Sequence, residues 1–321
     1  MELGLIIGEA APLSWDGWRH IVNDVDRLGF HSLFRSDHYF GGVQKETIDP
    51  YLSFVMAASE SDRLRLGTLV SPVTFRRPVD VGRMAQQLDA LLNGRFVLGL
   101  GIGWFKAEHK IYGLDFPSAG ERYARLDEAI RLMQQLWYSE NGVFDGRFFQ
   151  LAGSDSRPHP PSGRPPILIG GTGPVRTLGM VAQYASEWNA TPVTAKRYRE
   201  LNATLSEHCE RLGRDPATIR RSMLLFATCG PDQGHRDLAT RRYLDMVSNG
   251  NPSFTLDDAT AVGHPPWMGT VQQLIDYLGE LADAGVEEVV LEDFCHETDD
   301  FREWLAHDVH PHLATSKELS A

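Results

Sequence analysis

Ile167-Leu168-Ile169-Gly170-Gly171-Thr172-Gly173, running on through residues 174–184, is the stretch that decides how this chain reads. Three apolar residues make a short buried strand, the glycines make a turn, and 174–184 carries the apolar spacing of a helix. A glycine-rich turn feeding a helix N-terminus presents backbone N–H groups and the positive end of the helix dipole, which together form an anion or phosphate site. Thr172 adds a hydroxyl donor there and Arg176 a charged one. A flexible βα turn with no ligand has the same composition, so the reading needs the rest of the chain.

Working outward, the same alternation of apolar run and amphipathic stretch recurs, which is the pattern of parallel βαβ units. Eight strands are predicted at 3–7, 32–34, 64–69, 96–100, 167–169, 187–189, 222–228 and 288–291. Helices are predicted at 15–28, 78–92, 121–137, 174–184, 195–212 and 271–284. Pro50 and Pro78 sit where a first helical turn tolerates proline, and Gly29, Gly213 and Gly285 follow helices where glycine closes the last turn. Eight such units predict an α/β fold, a (β/α)8 TIM barrel with insertion loops at its C-terminal face. An open dinucleotide-binding sheet would carry GxGxxG after its first strand, and Gly8-Glu9-Ala10 does not supply it. The expected organisation is a single barrel domain over 1–313 with a flexible tail at 314–321. About sixty residues separate the fourth strand from the fifth and the seventh from the eighth, where most such loops need a handful. The stretch 230–268, rich in Gly, Pro, Asp and Asn around one short helical patch, is the expected mobile lid.

Composition narrows the function. A net charge of −12 with no run of Lys or Arg lacks the electrostatic footprint of a nucleic-acid or acidic-lipid binder, leaving small molecules as expected partners. The three cysteines, Cys209, Cys229 and Cys295, lie far apart in no metal or disulfide spacing, which fits a reducing cytoplasm. No basic leader precedes residues 3–7, and no apolar run reaches membrane-spanning length.

In a barrel of this kind the active site is built from residues just past the carboxyl ends of the strands. Ser36-Asp37-His38 follows the second strand, and a His beside an Asp suits proton transfer or donation to a bound ring. A hydrogen-bonded pair closing a loop fits equally well. Leu69-Val70-Ser71-Pro72 follows the third strand and Gly101-Ile102-Gly103-Trp104 the fourth, where glycines let a ligand approach and Trp104 offers an aromatic wall. Tight turns with a packed Trp read the same way. Glu292 and Asp293 after the last strand, and His109 beside Glu108, are further candidates. His307, His310 and His312 are interrupted by Pro311 and read as solvated surface. No strand ends in paired histidines, so no metal is expected.

Together these segments resemble the luciferase-like monooxygenase superfamily, in particular its F420-dependent oxidoreductase branch. The resemblance covers about residues 1 to 228 and is carried by Ser36-Asp37-His38, by residues 66–78 from Leu66 to Pro78, by residues 94–104, by residues 121–128 and by residues 167–173 running on to Trp188-Asn189. It implies the same barrel and an enzyme holding coenzyme F420, with FMN as the alternative cofactor. It implies catalytic roles for His38 and Asp37. A bulged strand end at Leu69, Val70 and Ser71 would lie against the tricyclic ring, joined there by Gly101, Gly103 and Trp104. Tyr123 matches a tyrosine that some flavin-using relatives aim at the cofactor, and Gly170, Gly171, Thr172, Gly173 and Arg176 match the phosphate cradle. Trp104 stands where a deazaflavin-dependent sugar-phosphate dehydrogenase carries an acidic catalytic residue, which argues against that substrate. The expected function is hydride transfer between F420 and a small organic substrate. The alternatives are an FMN-dependent monooxygenase served by a flavin reductase and a non-catalytic flavin-binding barrel. A homodimer is also expected. Arg176, with Lys196 and Arg197, is expected to line a basic exit for the anionic tail of F420.

Overall fold

A computed structural model of the protein describes residues 1–40, 47–153, 164–248, 251, 253–261 and 265–313. The expected tail at 314–321 therefore lies outside the described residues. The strands, in chain order, are β1 (Glu2–Ile7), β2 (Ser32–Arg35), β3 (Arg65–Thr68), β4 (Ser71–Pro72), β5 (Phe96–Gly101), β6 (Val143–Asp145), β7 (Gln150–Ala152), β8 (Ile167–Gly170), β9 (Glu187–Ala190), β10 (Arg220–Leu225) and β11 (Glu288–Glu292). The helices are α1 (Trp15–Arg27), α2 (Pro50–Ala57), α3 (Pro78–Leu91), α4 (Lys106–Ile111), α5 (Ala119–Tyr138), α6 (Arg176–Tyr184), α7 (Ala195–Arg211), α8 (Gln233–Val247), α9 (Leu256–Ala261), α10 (Val271–Asp283) and α11 (Asp300–Trp304). All eight strands expected from the sequence are present.

The chain divides into two compact units. The first comprises Met1–Leu64, Asn189–Ala203 and Arg220–Ala321. Here β2, β1, β11 and β10 pair in that order, all parallel, with Leu5 opposite both Leu33 and Leu291. β1 and β11 are buried on both faces, as parallel strands are, which is why they read as unbroken apolar runs. Helix α1 turns Trp18, Ile21, Val22 and Val25 inward, one stripe of helical period. Ser14 caps its first turn by accepting from the Gly17 N–H, and Gly29 leaves its last turn at φ +84. At the amino ends of these strands, Arg220 bonds both Glu2 and Glu288, and Glu288 also accepts from Ser32 Oγ.

The stretch 230–268 departs from the expected loop. It carries two helices, and α8 alone runs fifteen residues from an Asp232 cap. Tyr243 of α8 packs edge-on to Phe294, with ring centroids 5.9 Å apart, and Phe226 packs on both. Arg242 bonds the carbonyl of Phe294 and grips Glu297 with both terminal nitrogens. The described part of this segment is thus fastened to the loop after β11. The sequence hid this because the apolar residues of α8 contact a short aromatic cluster instead of forming a regular stripe.

The second unit comprises Arg65–Trp188 and Thr204–Ile219. In it β5 pairs in parallel with β3, β4 and β8. The antiparallel hairpin β6–β7 was not anticipated, although Asp145-Gly146 between apolar residues signals one. Buried Glu128 on α5 holds the hairpin loop by accepting from the N–H groups of Arg147, Phe148 and Phe149. Helix α6 begins at Arg176, two residues later than expected, because Pro174 and Val175 are taken up in the turn.

Candidate functional site

In the second unit, the strand expected at 64–69 is interrupted. Gly67 lies opposite Val97 and Ser71 opposite Leu100, so four residue steps on one strand face three on the other. One extra residue in one strand is a β-bulge, a device that re-aims side chains beside functional sites. The Leu69-Val70 peptide within it is cis. A Cβ built on Gly99, Gly101 or Gly170 would lie 3.1, 2.7 or 3.0 Å from a Val70 γ-carbon. Gly101 and Gly170, read from sequence as clearance for a ligand, are therefore required first by the Val70 side chain. Leu69 and Ser71 are buried and Val70 half-buried. Gly103 turns at φ +78, and Trp104 beyond it is 59% exposed with its ring stacked 5.1 Å from that of Phe105.

The turn from Gly170 to Gly173 is open, its residues all half-buried. Gly171 sits at φ +125, where a side chain is strained, and no side chain caps α6. A Cβ on Gly173 would lie 2.7 Å from Thr177 Oγ1 and 3.4 Å from Tyr123 Oη. Those two hydroxyls are themselves 2.7 Å apart, so Tyr123 braces the first turn of the helix. Trp188 Nε1 donates to the Gly171 carbonyl at 2.8 Å and ties the turn to β9. Arg176 is exposed, its guanidinium 5.6 Å from the centre of the Tyr123 ring.

From this first turn a groove of about 480 Å³ runs between α5, α6 and the end of α7, lined among others by Tyr123, Asp127, Arg176, Gln183, His208 and Arg211. Arg211 can only donate, so its 2.8 Å bond to His208 Nδ1 makes that nitrogen an acceptor. The His208 Nε2–H then donates to the Pro174 carbonyl at 2.9 Å. The carboxylate of the groove, Asp127, already accepts from Tyr184 Oη and from Arg131. Arg176 and Arg211 are left as the basic pair along it. His208 and Arg211 escaped the sequence reading because His208 lies more than thirty positions beyond the turn it meets, and Arg211 reaches the groove beside it. Of the other exit residues expected, Arg197 pairs with Glu200 at 2.7 Å and Lys196 is exposed.

In the first unit, Asp37 is buried and His38 half-buried just past β2. Their neighbour Ser36 donates from Oγ to Glu9, whose carboxylate oxygens lie 2.7 and 2.8 Å away. Glu9 follows β1 by two residues and was not singled out, although that position alone places it on the reactive ends of the strands. Arg35 is wholly buried, packed 5.3 Å over the Trp18 ring. Its Nε donates to the Ile7 carbonyl at 2.9 Å, and one terminal nitrogen lies 3.9 Å from Glu9. Burial holds its pKa below the ordinary value despite the carboxylates nearby.

The sequence pair Glu292 and Asp293 separates. Asp293 is structural, bound to Arg302 at 2.8 Å and to the Cys295 N–H at 3.0 Å. Glu292 accepts from the Gly8 N–H at 2.9 Å. Burial, and then the charge of Glu9, push its carboxyl up to about 8. His109 is also structural, 1% exposed with both ring nitrogens bonded, to the Phe105 carbonyl and to Thr74. His310 stacks on Phe30 at 6.2 Å, while His307 and His312 are exposed as expected. The three cysteines are buried and none is in a disulfide, and no described helix is long and apolar enough to cross a membrane.

Comparison with known proteins places these features in a family. Residues 7–288 match the luciferase-like monooxygenase family. An F420-dependent glucose-6-phosphate dehydrogenase from Amycolatopsis mediterranei is 33% identical over 189 residues, 56% of this chain and 54% of that relative. The match thus spans about half the length of that curated relative. Among solved structures, an F420-dependent secondary alcohol dehydrogenase in complex with an F420-acetone adduct superposes with a TM-score of 0.81 at 18% identity, covering 98% of this chain and 99% of that one. A monooxygenase from Streptomyces bottropensis superposes with a TM-score of 0.78 at 21% identity, covering 98% and 100%. The shared fold is the α/β, (β/α)8 barrel expected from the strand count. With 282 of its 321 residues matched, the chain belongs to the luciferase-like monooxygenase family.

Proposed function

We propose that this protein is an oxidoreductase transferring a hydride between coenzyme F420 and a small organic substrate. The observation that carries the choice of cofactor is the open groove leading from the first turn of α6, with Arg176 and Arg211 along it. FMN ends at its phosphate, whereas F420 continues into a polyanionic tail, and a basic exit serves only the longer molecule. The relatives named as F420-dependent point the same way.

The residues fit such a group. The backbone of Gly171, Thr172 and Gly173 would hold the phosphate, in a space that a Cβ on Gly173 would fill against Thr177. Val70 and Ser71 at the bulge would meet the ring; Gly101 ends β5, the strand beside it, and Gly103 and Trp104 follow. Bound F420 supplies a carbon centre that accepts or gives hydride and, lacking the flavin N5, does not activate oxygen. His38, next to Asp37 in the chain just past β2, would give or take the proton at the substrate oxygen.

Fluorescence titration of the purified protein with F420 and with FMN tests the proposal. F420 is expected to bind at least about tenfold more tightly, a difference of about 1.4 kcal/mol. Replacing both Arg176 and Arg211 by Ala should weaken F420 binding by about the same factor and leave FMN unchanged. Tighter binding of FMN, or F420 affinity indifferent to the two arginines, would overturn this reading in favour of a flavin-dependent monooxygenase.

A further inference from the structure

Glu9 and Glu292 bring two buried carboxyl groups to the carboxyl ends of β1 and β11, at 5% and 3% exposure; Glu9 lies 3.9 Å from the Arg35 guanidinium, and Glu292 feels the charges of both Glu9 and Arg35. They are not held alike. Glu9 receives the Ser36 hydroxyl and lies within 4 Å of Arg35, both of which favour a charged carboxylate. Glu292 receives one backbone N–H, from the residue directly before Glu9. Among the described residues, the charged groups that act most on Glu292 are Glu9 from the β1 end, Asp293 next to it in the chain and Arg35 from β2. Arg35 is in turn faced by Asp37 and Asp49 as well as Glu9. Among the described residues the acidic groups named here outnumber the one cation, Arg35, and Asp293 is bound to Arg302 instead. One buried guanidinium balances one carboxylate, and an uncompensated second charge in such a place is expensive.

We infer that Glu292 is a positioning residue for the proton step of the proposed reaction: it stays a neutral carboxylic acid, and by doing so it keeps Glu9 the charged partner of Ser36 beside Asp37 and His38. The desolvation that raises its pKa to about 8 supports this assignment. Above that pH Glu292 ionises, the two carboxylates repel, and the Ser36–Glu9 contact loosens. The inference rests on the proposed oxidoreductase activity only for its functional consequence, since the protonation state belongs to the ligand-free protein.

Infrared spectra of the purified ligand-free protein test the protonation state directly. A protonated-carboxyl band is expected at pH 7, disappearing on titration through about pH 8. It should be absent from Glu292→Gln, and in Glu9→Gln its midpoint should move down, because the charge that helps raise it is gone. A wild-type protein without such a band at pH 7, or a band indifferent to Glu292→Gln, would overturn the assignment. If F420 turnover is obtained, kcat/KM of the wild type should fall above about pH 8 while the Glu292→Gln profile stays flat there. Coincident profiles would remove the functional role. Absence of turnover with F420 would count against the proposed function alone, because the infrared result stands without it.

Discussion

The glycine turns of the second unit and the carboxyl cluster of the first unit are both functional candidates, built on opposite principles. The bulge and the proposed phosphate cradle are made of backbone. Their shape comes from residues that lack a side chain, at Gly99, Gly101, Gly170, Gly171 and Gly173. The cluster around Glu9, Arg35 and Glu292 is made of charge, and its properties come from the number of ionisable groups sharing one buried space. A backbone site is broken by adding atoms. A charge site is broken by changing pH.

The largest effect follows from that contrast. The folded-state pKa of Glu292 is raised above its ordinary value of 4.5 to about 8. Its contribution is therefore fully present below the unfolded pKa and is lost as pH rises through the folded one. Glutamine does not titrate, so the stability of the wild type relative to Glu292→Gln should fall between pH 4 and pH 9 by up to about 5 kcal/mol. Denaturant melts of both proteins across that range measure it, and parallel curves would show that the cluster is not charge-limited.

Next in size is Gly99→Ala. A Cβ there would lie 1.9 Å from the Thr68 carbonyl oxygen, a backbone atom that cannot swing aside, besides pressing on Val70. Overpacking of this kind should cost about 3 kcal/mol or more, read as a lower denaturation midpoint at every pH. An alanine tolerated at Gly99 would mean that the bulge does not depend on its glycines. Smallest is Tyr123→Phe, which removes the bond to Thr177 and should cost about 1 kcal/mol of stability. It should also weaken F420 binding severalfold by loosening the first turn of α6. Unchanged affinity would separate Tyr123 from the cradle.

The backbone half of this comparison was largely legible in advance. Gly170-Gly171-Thr172-Gly173 is legible as a glycine turn ahead of a helix because glycine requirements are local: φ and clearance are set by the residue and its near neighbours. The bulge at Leu69, Val70 and Ser71 entered only through family resemblance, since a one-residue excess is a property of two paired strands and neither shows it alone. The charge half was half-seen. Glu292 and Asp293 looked equivalent, and only packing sent one to Arg302 and the other to the Gly8 N–H. Glu9 was passed over because a single Glu after a strand gives no sign that a second carboxyl, 283 positions on, will share its surroundings.

The sequence by itself determined the alternation of strand and helix, the left-handed closures at Gly29, Gly213 and Gly285, and the eight-strand count that makes the barrel. Each depends on period, propensity or backbone freedom, which act over a few residues. Tertiary structure alone decided that α8 is fastened by Tyr243 and Arg242, that His208 and Arg211 line the groove beside Arg176, and that Glu292 keeps its proton. Those outcomes turn on which distant groups are desolvated together, and desolvation is a property of the packed interior that no local run of residues encodes.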